Sequence, residues 1–283
     1  MSTLYLTDLD GTLLRPDATL SPDDARRINR LTAAGVRISF ATARTVRSAA
    51  PILSAVDFTH PGCAPVALMN GTMLRDMARG VYVAVERFSQ EAARAVLASL
   101  TAFGEPFVYV CDPDAPVLGD PLTTWYRDLA NDAMRRFRDE RVSRWGKPFF
   151  RFRSADELPG ATVYFCQLGS EDPIRRADEA LDGIPGIRRT AYPDAYEPGL
   201  WYLEVFPETA SKRRAVEFLR AYTGCARVVA FGDNRNDLAM FEAADLAVAV
   251  TNAADEVRAM ADAVTENVVA WIERDAGAEQ SNL

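Results

Sequence analysis

The chain has 283 residues, 48% hydrophobic and 25% charged, so it contains enough apolar material for one large domain or two smaller ones. Its formal net charge of −8 disfavours nucleic acid and anionic membrane surfaces as partners, because an acidic surface repels phosphate groups. No apolar run reaches the ~18 residues that a transmembrane helix needs. The N-terminus enters a strand-like run without a basic leader, which predicts a cytoplasmic protein.

The first 85 residues alternate between strand-like and helix-like patterns. The first predicted helix has Ser21 at its N-cap and Gly35 just after its last turn. The predicted elements are strands at 3–10, 36–42 and 64–71, with helices at 21–35 and 44–55. Strands that alternate with helices indicate a parallel sheet with helices wound around it.

The middle of the chain is richer in proline and has longer gaps between its predicted elements. These elements are helices at 89–104 and 171–183, with strands at 106–111, 160–169 and 201–207. They indicate an α+β domain, entered and left through two linkers. We expect this insert to span residues 86–201.

The last part of the chain returns to the alternating pattern. It has predicted helices at 208–224, 236–244, 253–261 and 268–275, and strands at 226–233 and 246–250. The fold class is therefore predicted as α/β. Its core is a doubly wound, Rossmann-like parallel sheet built from residues 1–85 and 202–283.

Histidine and cysteine provide little for catalysis. The single histidine, His60, lies in a Pro/Gly-rich loop (THPGC) with no neighbour that could complete a triad. The four cysteines form no C-x-x-C pair, which disfavours a disulfide framework and a zinc site. Serine–histidine and cysteine–histidine chemistry are therefore disfavoured.

Polar side chains occur where the predicted core strands end. They are Asp8, Asp10, Thr42, Asn70 and Asp233. Ligands bind beyond the carboxyl ends of the strands in an open parallel sheet, so we expect these residues at one edge. Three carboxylates in one pocket repel each other unless a cation neutralises them. Oxygen ligands favour a hard divalent ion, and Mg²⁺ suits phosphate chemistry.

Four short motifs carry a resemblance to a known family. DLDGT, FATAR, SK and GDNRND resemble, in this order, the four motifs of the haloacid dehalogenase-like hydrolases. MNGT and LEVFPETASK are also similar to the Cof-type sugar-phosphate phosphatase branch, and an insert follows the second motif there too. The resemblance covers roughly residues 1–85 and 202–283, and it implies that the insert is a cap domain.

The resemblance implies a role for each motif residue in phosphate-ester hydrolysis. Asp8 would attack phosphorus and form an aspartyl phosphate. Asp10 would protonate the leaving oxygen and then deprotonate the attacking water. Lys212 would neutralise the nucleophile and the phosphoryl oxygens. Thr42 and the backbone N–H of Ala43 would bind phosphate.

The resemblance also implies a Mg²⁺ site and contacts with a small phosphorylated substrate. The metal ligands would be Asp8, Asp233 and the backbone carbonyl of Asp10, with Asp237 supporting the site. Asn236 would orient phosphate or Lys212. Arg44 and Asn70 would be within reach of the leaving group.

Two positions depart from the family pattern. Ala43 replaces a common glycine, which is harmless unless that residue needs a positive φ. Arg213 replaces the glycine that usually follows the motif lysine, and we expect its side chain to point to solvent.

Other functions compete with a phosphatase. A phosphosugar mutase would use the same aspartate but pass the phosphoryl group to a second hydroxyl. A non-catalytic sensor of phosphorylated metabolites would need no nucleophile paired with an acid. Carbon–halogen cleavage is disfavoured, because the family's dehalogenases lack the full Mg²⁺ and acid–base set.

Overall fold

A computed structural model describes residues 2–157, 160–194 and 197–281, and the elements in these ranges are numbered along the chain. The strands are β1 (Thr3–Thr7), β2 (Arg37–Phe40), β3 (Val66–Leu68), β4 (Met73–Asp76), β5 (Val81–Val85), β6 (Pro106–Cys111), β7 (Leu122–Tyr126), β8 (Phe149–Arg151), β9 (Thr162–Gly169), β10 (Ile187–Pro193), β11 (Trp201–Pro207), β12 (Arg227–Gly232), β13 (Leu246–Val250) and β14 (Ala263–Thr265). The helices are α1 (Pro22–Ala33), α2 (Val46–Ala49), α3 (Gln90–Thr101), α4 (Asp132–Trp145), α5 (Glu171–Glu179), α6 (Lys212–Thr223), α7 (Leu238–Phe241), α8 (Asp255–Met260) and α9 (Val268–Ser281).

The chain divides into two units. One consists of Met1–Ala84 with Ser211–Leu283, and the other of Val85–Ala210. The second boundary lies later than the 201/202 division expected from the sequence. The physical reason is that β11 pairs with both β9 and β10, so this strand and the turn after it belong to the insert.

The first unit contains a five-stranded parallel sheet in the order β14-β13-β12-β1-β2. All five residues of β1 are buried, as expected for a central strand of a sheet covered on both faces. Helix α9 packs on it through Trp271, whose ring meets those of Tyr5 and Phe231. The predicted α/β fold with a parallel sheet is confirmed.

Local details of this unit differ from the sequence prediction. The helix predicted at 44–55 is only four residues long, from Val46 to Ala49, and Pro51 beyond it offers no backbone donor. Strand β14 was not predicted, because three residues carry too little pattern. Strand β1 ends at Thr7, and residues 9–13 form a π-type turn where the sequence predicted a strand to residue 10.

The inserted unit is built on a six-stranded sheet in the order β10-β11-β9-β6-β7-β8. Its pairs are antiparallel except for β7 with β8. Helices α3 and α5 pack on it around a buried apolar cluster that includes Val96, Leu100, Phe165 and Ile174. The α+β character matches the expectation, although β7, β8, β10 and α4 were not among the predicted elements. Among the described residues, no helix is both long and apolar enough to cross a bilayer.

Candidate active site

Asp8 directly follows β1, at the carboxyl end of an interior strand of the parallel sheet. Its backbone N–H donates to the carbonyl of Phe231 in the neighbouring strand at 2.9 Å, which holds the residue in line with the sheet. Only 5% of the residue is exposed. Carboxylate Oδ1 accepts a hydrogen bond of 2.6 Å from Lys212 Nζ, and Oδ2 accepts none from the described residues. One oxygen is therefore fixed, and the other is available.

Lys212 is the first residue of α6, where a positive charge is opposed by the helix dipole. Ser211 caps this helix by accepting from the N–H of Arg214 at 3.1 Å. The lysine side chain is fully buried, and Nζ donates to Asp8 Oδ1 at 2.6 Å and to Asp237 Oδ1 at 2.5 Å. Burial opposes its charge, but these two carboxylates outweigh burial and raise the pKa of Lys212.

Asp237 connects the lysine to the loop after β12. Its Oδ2 accepts from the backbone N–H groups of Asp233 at 2.9 Å and Asn234 at 3.1 Å, so both of its oxygens are engaged. A Cβ at Gly232 would lie 2.5 Å from Asp237 Cβ, so only glycine permits this close approach. Asp237 is completely buried and supports the site through these contacts.

The carboxylates of Asp8, Asp233 and Asp237 form a group that could hold a metal ion. Each offers one oxygen, and these oxygens lie within 4.8 Å of one another. Asp233 Oδ1 accepts from the hydroxyl of Thr12 at 2.9 Å, and its Oδ2 accepts no hydrogen bond from the described residues. Three carboxylates face one ammonium group here, so the site carries an excess of negative charge.

Burial and the neighbouring carboxylates both affect the pKa values of Asp8 and Asp233. Burial raises the pKa of Asp8, with Lys212 opposing and both Asp237 and Asp233 adding to the rise. Burial and Asp237 likewise raise the pKa of Asp233, against the hydrogen bond from Thr12. A bound divalent cation would relieve both effects, because it favours the ionised carboxylates.

Asp10 lies outside this group. It occupies the π-type turn with φ −75° and ψ 122°, and its carboxylate pairs with the guanidinium of Arg44. The strand predicted at 3–10 would place Asp8 and Asp10 on one face, but β1 ends at Thr7 and the two side chains have different partners. Gly11 follows with φ +80°, and a Cβ there would lie 2.3 Å from Asp233 Oδ2. This glycine therefore brings the turn close to the carboxylate group.

Thr42 and Ala43 follow β2. Thr42 is completely buried, and its Oγ1 accepts from the backbone N–H of Arg44 at 3.1 Å, which leaves its own hydroxyl proton for another acceptor. Ala43 is exposed and is not among the described residues with positive φ, so alanine stands here without backbone strain. Arg213 is 45% exposed in its side chain and pairs with Glu242 at 2.5 Å, in agreement with the expected solvent-facing position.

Asn70 and Asn236 are brought together although they lie far apart in the sequence. Asn236 Nδ2 donates to Asn70 Oδ1 at 3.3 Å. The backbone N–H of Asn70 also donates to the carbonyl of Thr42 at 2.9 Å, which links this pair to the β2 loop. Asn70 has φ +55°, a left-handed conformation that asparagine tolerates better than most residues.

Sequence reasoning did not assign a role to two residues that shape the site. Thr12 binds Asp233, and it stands inside the DLDGT motif, which was the available signal. Asn252 Nδ2 donates to the carbonyl of Gly11 at 2.8 Å. It follows β13, so the rule that polar residues after core strands meet at one edge could have found it.

We expect Gly71→Ala to damage the site through the backbone. Gly71 has φ +86°, and a Cβ would lie 2.1 Å from the carbonyl oxygen of Ser211, which precedes Lys212. The left-handed conformation alone costs about 1–2 kcal/mol for a non-glycine residue, and the clash adds to it. The expected result is a lower urea midpoint together with reduced activity. Gly80→Ala also has positive φ but only a 3.5 Å contact, so it controls for the backbone cost.

Comparisons with known proteins agree with the motifs. A family profile described as haloacid dehalogenase-like hydrolase matches residues 5–269. The 5-amino-6-(5-phospho-D-ribitylamino)uracil phosphatase YwtE of Bacillus subtilis is 25% identical, over 93% of this chain and 94% of that protein.

Solved structures share the fold. A haloacid dehalogenase-like hydrolase from Bacteroides thetaiotaomicron matches with a TM-score of 0.73 and 18% identity, over 97% of this chain and 99% of that chain. The subclass IIB sugar phosphatase BT4131 matches with a TM-score of 0.66 and 18% identity over both whole chains. Because the profile spans nearly the whole chain, this protein belongs to the haloacid dehalogenase-like hydrolase family, as its four motifs predicted.

Proposed function

We propose that this protein is a Mg²⁺-dependent phosphatase that hydrolyses a small phosphorylated metabolite through an aspartyl phosphate on Asp8. The observation that carries this proposal is the buried contact between Asp8, Lys212 and Asp237, with Asp233 beside it. A nucleophile held by an ammonium group within a carboxylate cluster suits an anionic phosphoryl group and a cation together.

The reaction would use two carboxylates in turn. The available oxygen of Asp8 attacks phosphorus, and the bond from phosphorus to the leaving oxygen breaks as Asp10 gives that oxygen a proton. Water then attacks the aspartyl phosphate while Asp10 takes a proton from it, which releases inorganic phosphate and restores the Asp8 carboxylate. Asp8 needs no deprotonation step, provided that it is ionised.

Four groups of hydrogen-bond donors would bind the phosphoryl oxygens: an ammonium group, a hydroxyl, a backbone N–H and a side-chain amide. Lys212 lies against Asp8 and would stabilise charge that develops on the transferred group. The hydroxyl of Thr42 and the backbone N–H of the exposed Ala43 would donate to phosphate. Asn236, paired with Asn70, would orient phosphate from the other side of the β2 loop.

The donor set fits Mg²⁺. Asp233 keeps one carboxylate oxygen that no described residue engages, and Asp8 Oδ1 keeps a lone pair beside its hydrogen bond from Lys212, which leaves Asp8 Oδ2 for the attack on phosphorus. Hard oxygen donors of this kind suit Mg²⁺. The backbone carbonyl of Asp10 would complete the protein's share of the ligands. Both oxygens of Asp237 are engaged, so we assign it to supporting the site through Lys212 and the loop. The ion would supply charge neutralisation for the anionic substrate and the ionised nucleophile.

We propose a phosphorylated sugar or sugar alcohol as the substrate class. Support comes from the relative YwtE, whose name specifies a phosphatase for a phosphorylated ribityl compound. The inserted unit, residues 85–210, would act as a cap that selects the leaving group and excludes bulk water.

Metal removal tests this function directly. We expect dialysis against EDTA to abolish phosphate release from a panel of sugar and sugar-alcohol phosphates, and added Mg²⁺ to restore it, because the excess carboxylate charge then has a counter-ion again. The measurement should quantify three species: free phosphate, unreacted phosphate ester and isomerised phosphate ester. Isomerised ester without free phosphate would identify a mutase, and binding without turnover would identify a sensor. Full activity after complete metal removal would contradict the proposal.

A further inference from the structure

The guanidinium of Arg44 and the carboxylate of Asp10 form a two-point ion pair. Arg44 Nε donates to Asp10 Oδ2 at 2.8 Å, and Nη2 donates to Oδ1 at 2.5 Å. A planar guanidinium that meets both oxygens of a carboxylate defines the direction of that carboxylate as well as its distance. The Arg44 side chain is 22% exposed and that of Asp10 is 48% exposed.

Arg44 is held firmly on its own side. Its backbone N–H donates to Thr42 Oγ1 at 3.1 Å, and its carbonyl accepts from the N–H of Met69 at 3.0 Å. Both contacts come from the loops that follow β2 and β3. The guanidinium of Arg44 therefore extends from a backbone that hydrogen bonds hold next to the sheet.

Asp10, in contrast, has little else to hold its side chain. It lies in the turn after Asp8, is followed by Gly11 in a left-handed conformation, and is about half exposed. Within the described residues, its carboxylate accepts side-chain hydrogen bonds only from Arg44. Each carboxylate oxygen retains a further lone pair, so the ion pair leaves room for proton exchange on the opposite side.

We propose that Arg44 is a positioning residue that aims the Asp10 carboxylate at the leaving oxygen and then at the attacking water. This role differs from a contact with the leaving group, which the sequence suggested for Arg44. The inference rests on the proposed function, since it assigns Asp10 the proton transfers of that reaction.

Leaving-group dependence distinguishes the two roles. p-Nitrophenolate leaves with little help from an acid, whereas an alkoxide needs a proton. The value of kcat/KM covers the steps up to departure of the leaving group. General acid catalysis contributes ~10²–10⁴ in rate, so Arg44→Gln should lower kcat/KM for a sugar-alcohol phosphate by about 10- to 100-fold. The loss in kcat/KM for p-nitrophenyl phosphate should stay below about threefold. Arg44→Lys should recover little, because a point charge does not fix the carboxylate's direction.

A double-mutant cycle with Asp10→Asn shows whether Arg44 acts through Asp10. If it does, Arg44→Gln changes kcat/KM for the sugar-alcohol phosphate by less than about twofold in the Asp10→Asn background. An equal loss in both backgrounds would overturn the inference and favour a substrate contact. A wild-type protein that releases no phosphate from either ester would instead refute the proposed function, and this inference with it.

The crystal structure of Arg44→Gln adds a readout that does not depend on turnover. We expect the Asp10 carboxylate to occupy more than one rotamer while Asp8 and Lys212 stay in place. An unchanged, single Asp10 rotamer would also overturn the inference. Arg26→Gln removes an exposed arginine paired with Asp23 and serves as the matched control with wild-type kinetics for both esters.

Discussion

We expect Asp8→Asn to lower kcat by at least about 10³-fold, which is the scale of losing a covalent nucleophile. The amide has nearly the same shape as the carboxylate but cannot attack phosphorus. The hydrogen bond between Lys212 and Asp237 does not involve Asp8, so we expect the variant to keep the fold. Phosphate release and circular dichroism measure the two effects separately. Asp23→Asn changes an exposed aspartate of α1 and should keep full activity.

The proposed covalent intermediate on Asp8 can be detected directly. Asp10→Asn removes the base that we propose for the second step, so a substrate with a good leaving group should leave a phosphoryl group on Asp8. Acid quenching followed by mass spectrometry of the peptide that contains Asp8 would detect it. Asp8→Asn should show no such mass increase. Substantial hydrolysis by Asp8→Asn would remove the basis for the aspartyl phosphate proposal.

Lys212→Met should both inactivate and destabilise the protein. It leaves Asp8 and Asp237 buried without their ammonium partner, and breaking a buried ion pair from one side costs about 3–5 kcal/mol. The measurements are urea unfolding in EDTA and phosphate release with Mg²⁺. Lys147→Met is the matched control, because Lys147 is also buried but lies over the ring of Tyr109 in the inserted unit. We expect it to retain catalysis.

The destabilisation of Lys212→Met should depend on pH with a defined sign. Asp8 and Asp233 have raised pKa values in the folded protein, so their contribution to the free energy of unfolding is largest below their unfolded value of 3.8 and falls as the pH rises through the folded values. Losing Lys212 raises those values further. As the pH falls from 8 to 5.5, the difference in free energy of unfolding between wild type and the variant should therefore become smaller. A constant difference across that range would contradict this electrostatic account.

The sequence contained enough information for the sheet and for the position of most site residues. Buried strands that alternate with helices allow few other arrangements, and polar residues at strand ends then meet at one edge. The partners of Asp10 and Asp237 could not be predicted in the same way. They depend on side-chain directions in turns, where the backbone of Gly11 closely approaches the Asp233 carboxylate and that of Gly232 approaches Asp237. The strands β7, β8 and β10 were missed because their hydrophobic pattern is short and interrupted by polar residues.

The position of β11 has a consequence for engineering this protein. This strand pairs with β9 and β10, and the insert ends at Ala210, so Lys212, for which we propose a catalytic role, lies only two residues beyond the insert. A chimera that tests whether the insert selects the substrate must therefore exchange residues 85–210 as one piece. A splice made before β11 would separate this strand from its partners β9 and β10. The chimera would then expose unpaired backbone groups at a sheet edge and would not acquire a new selectivity.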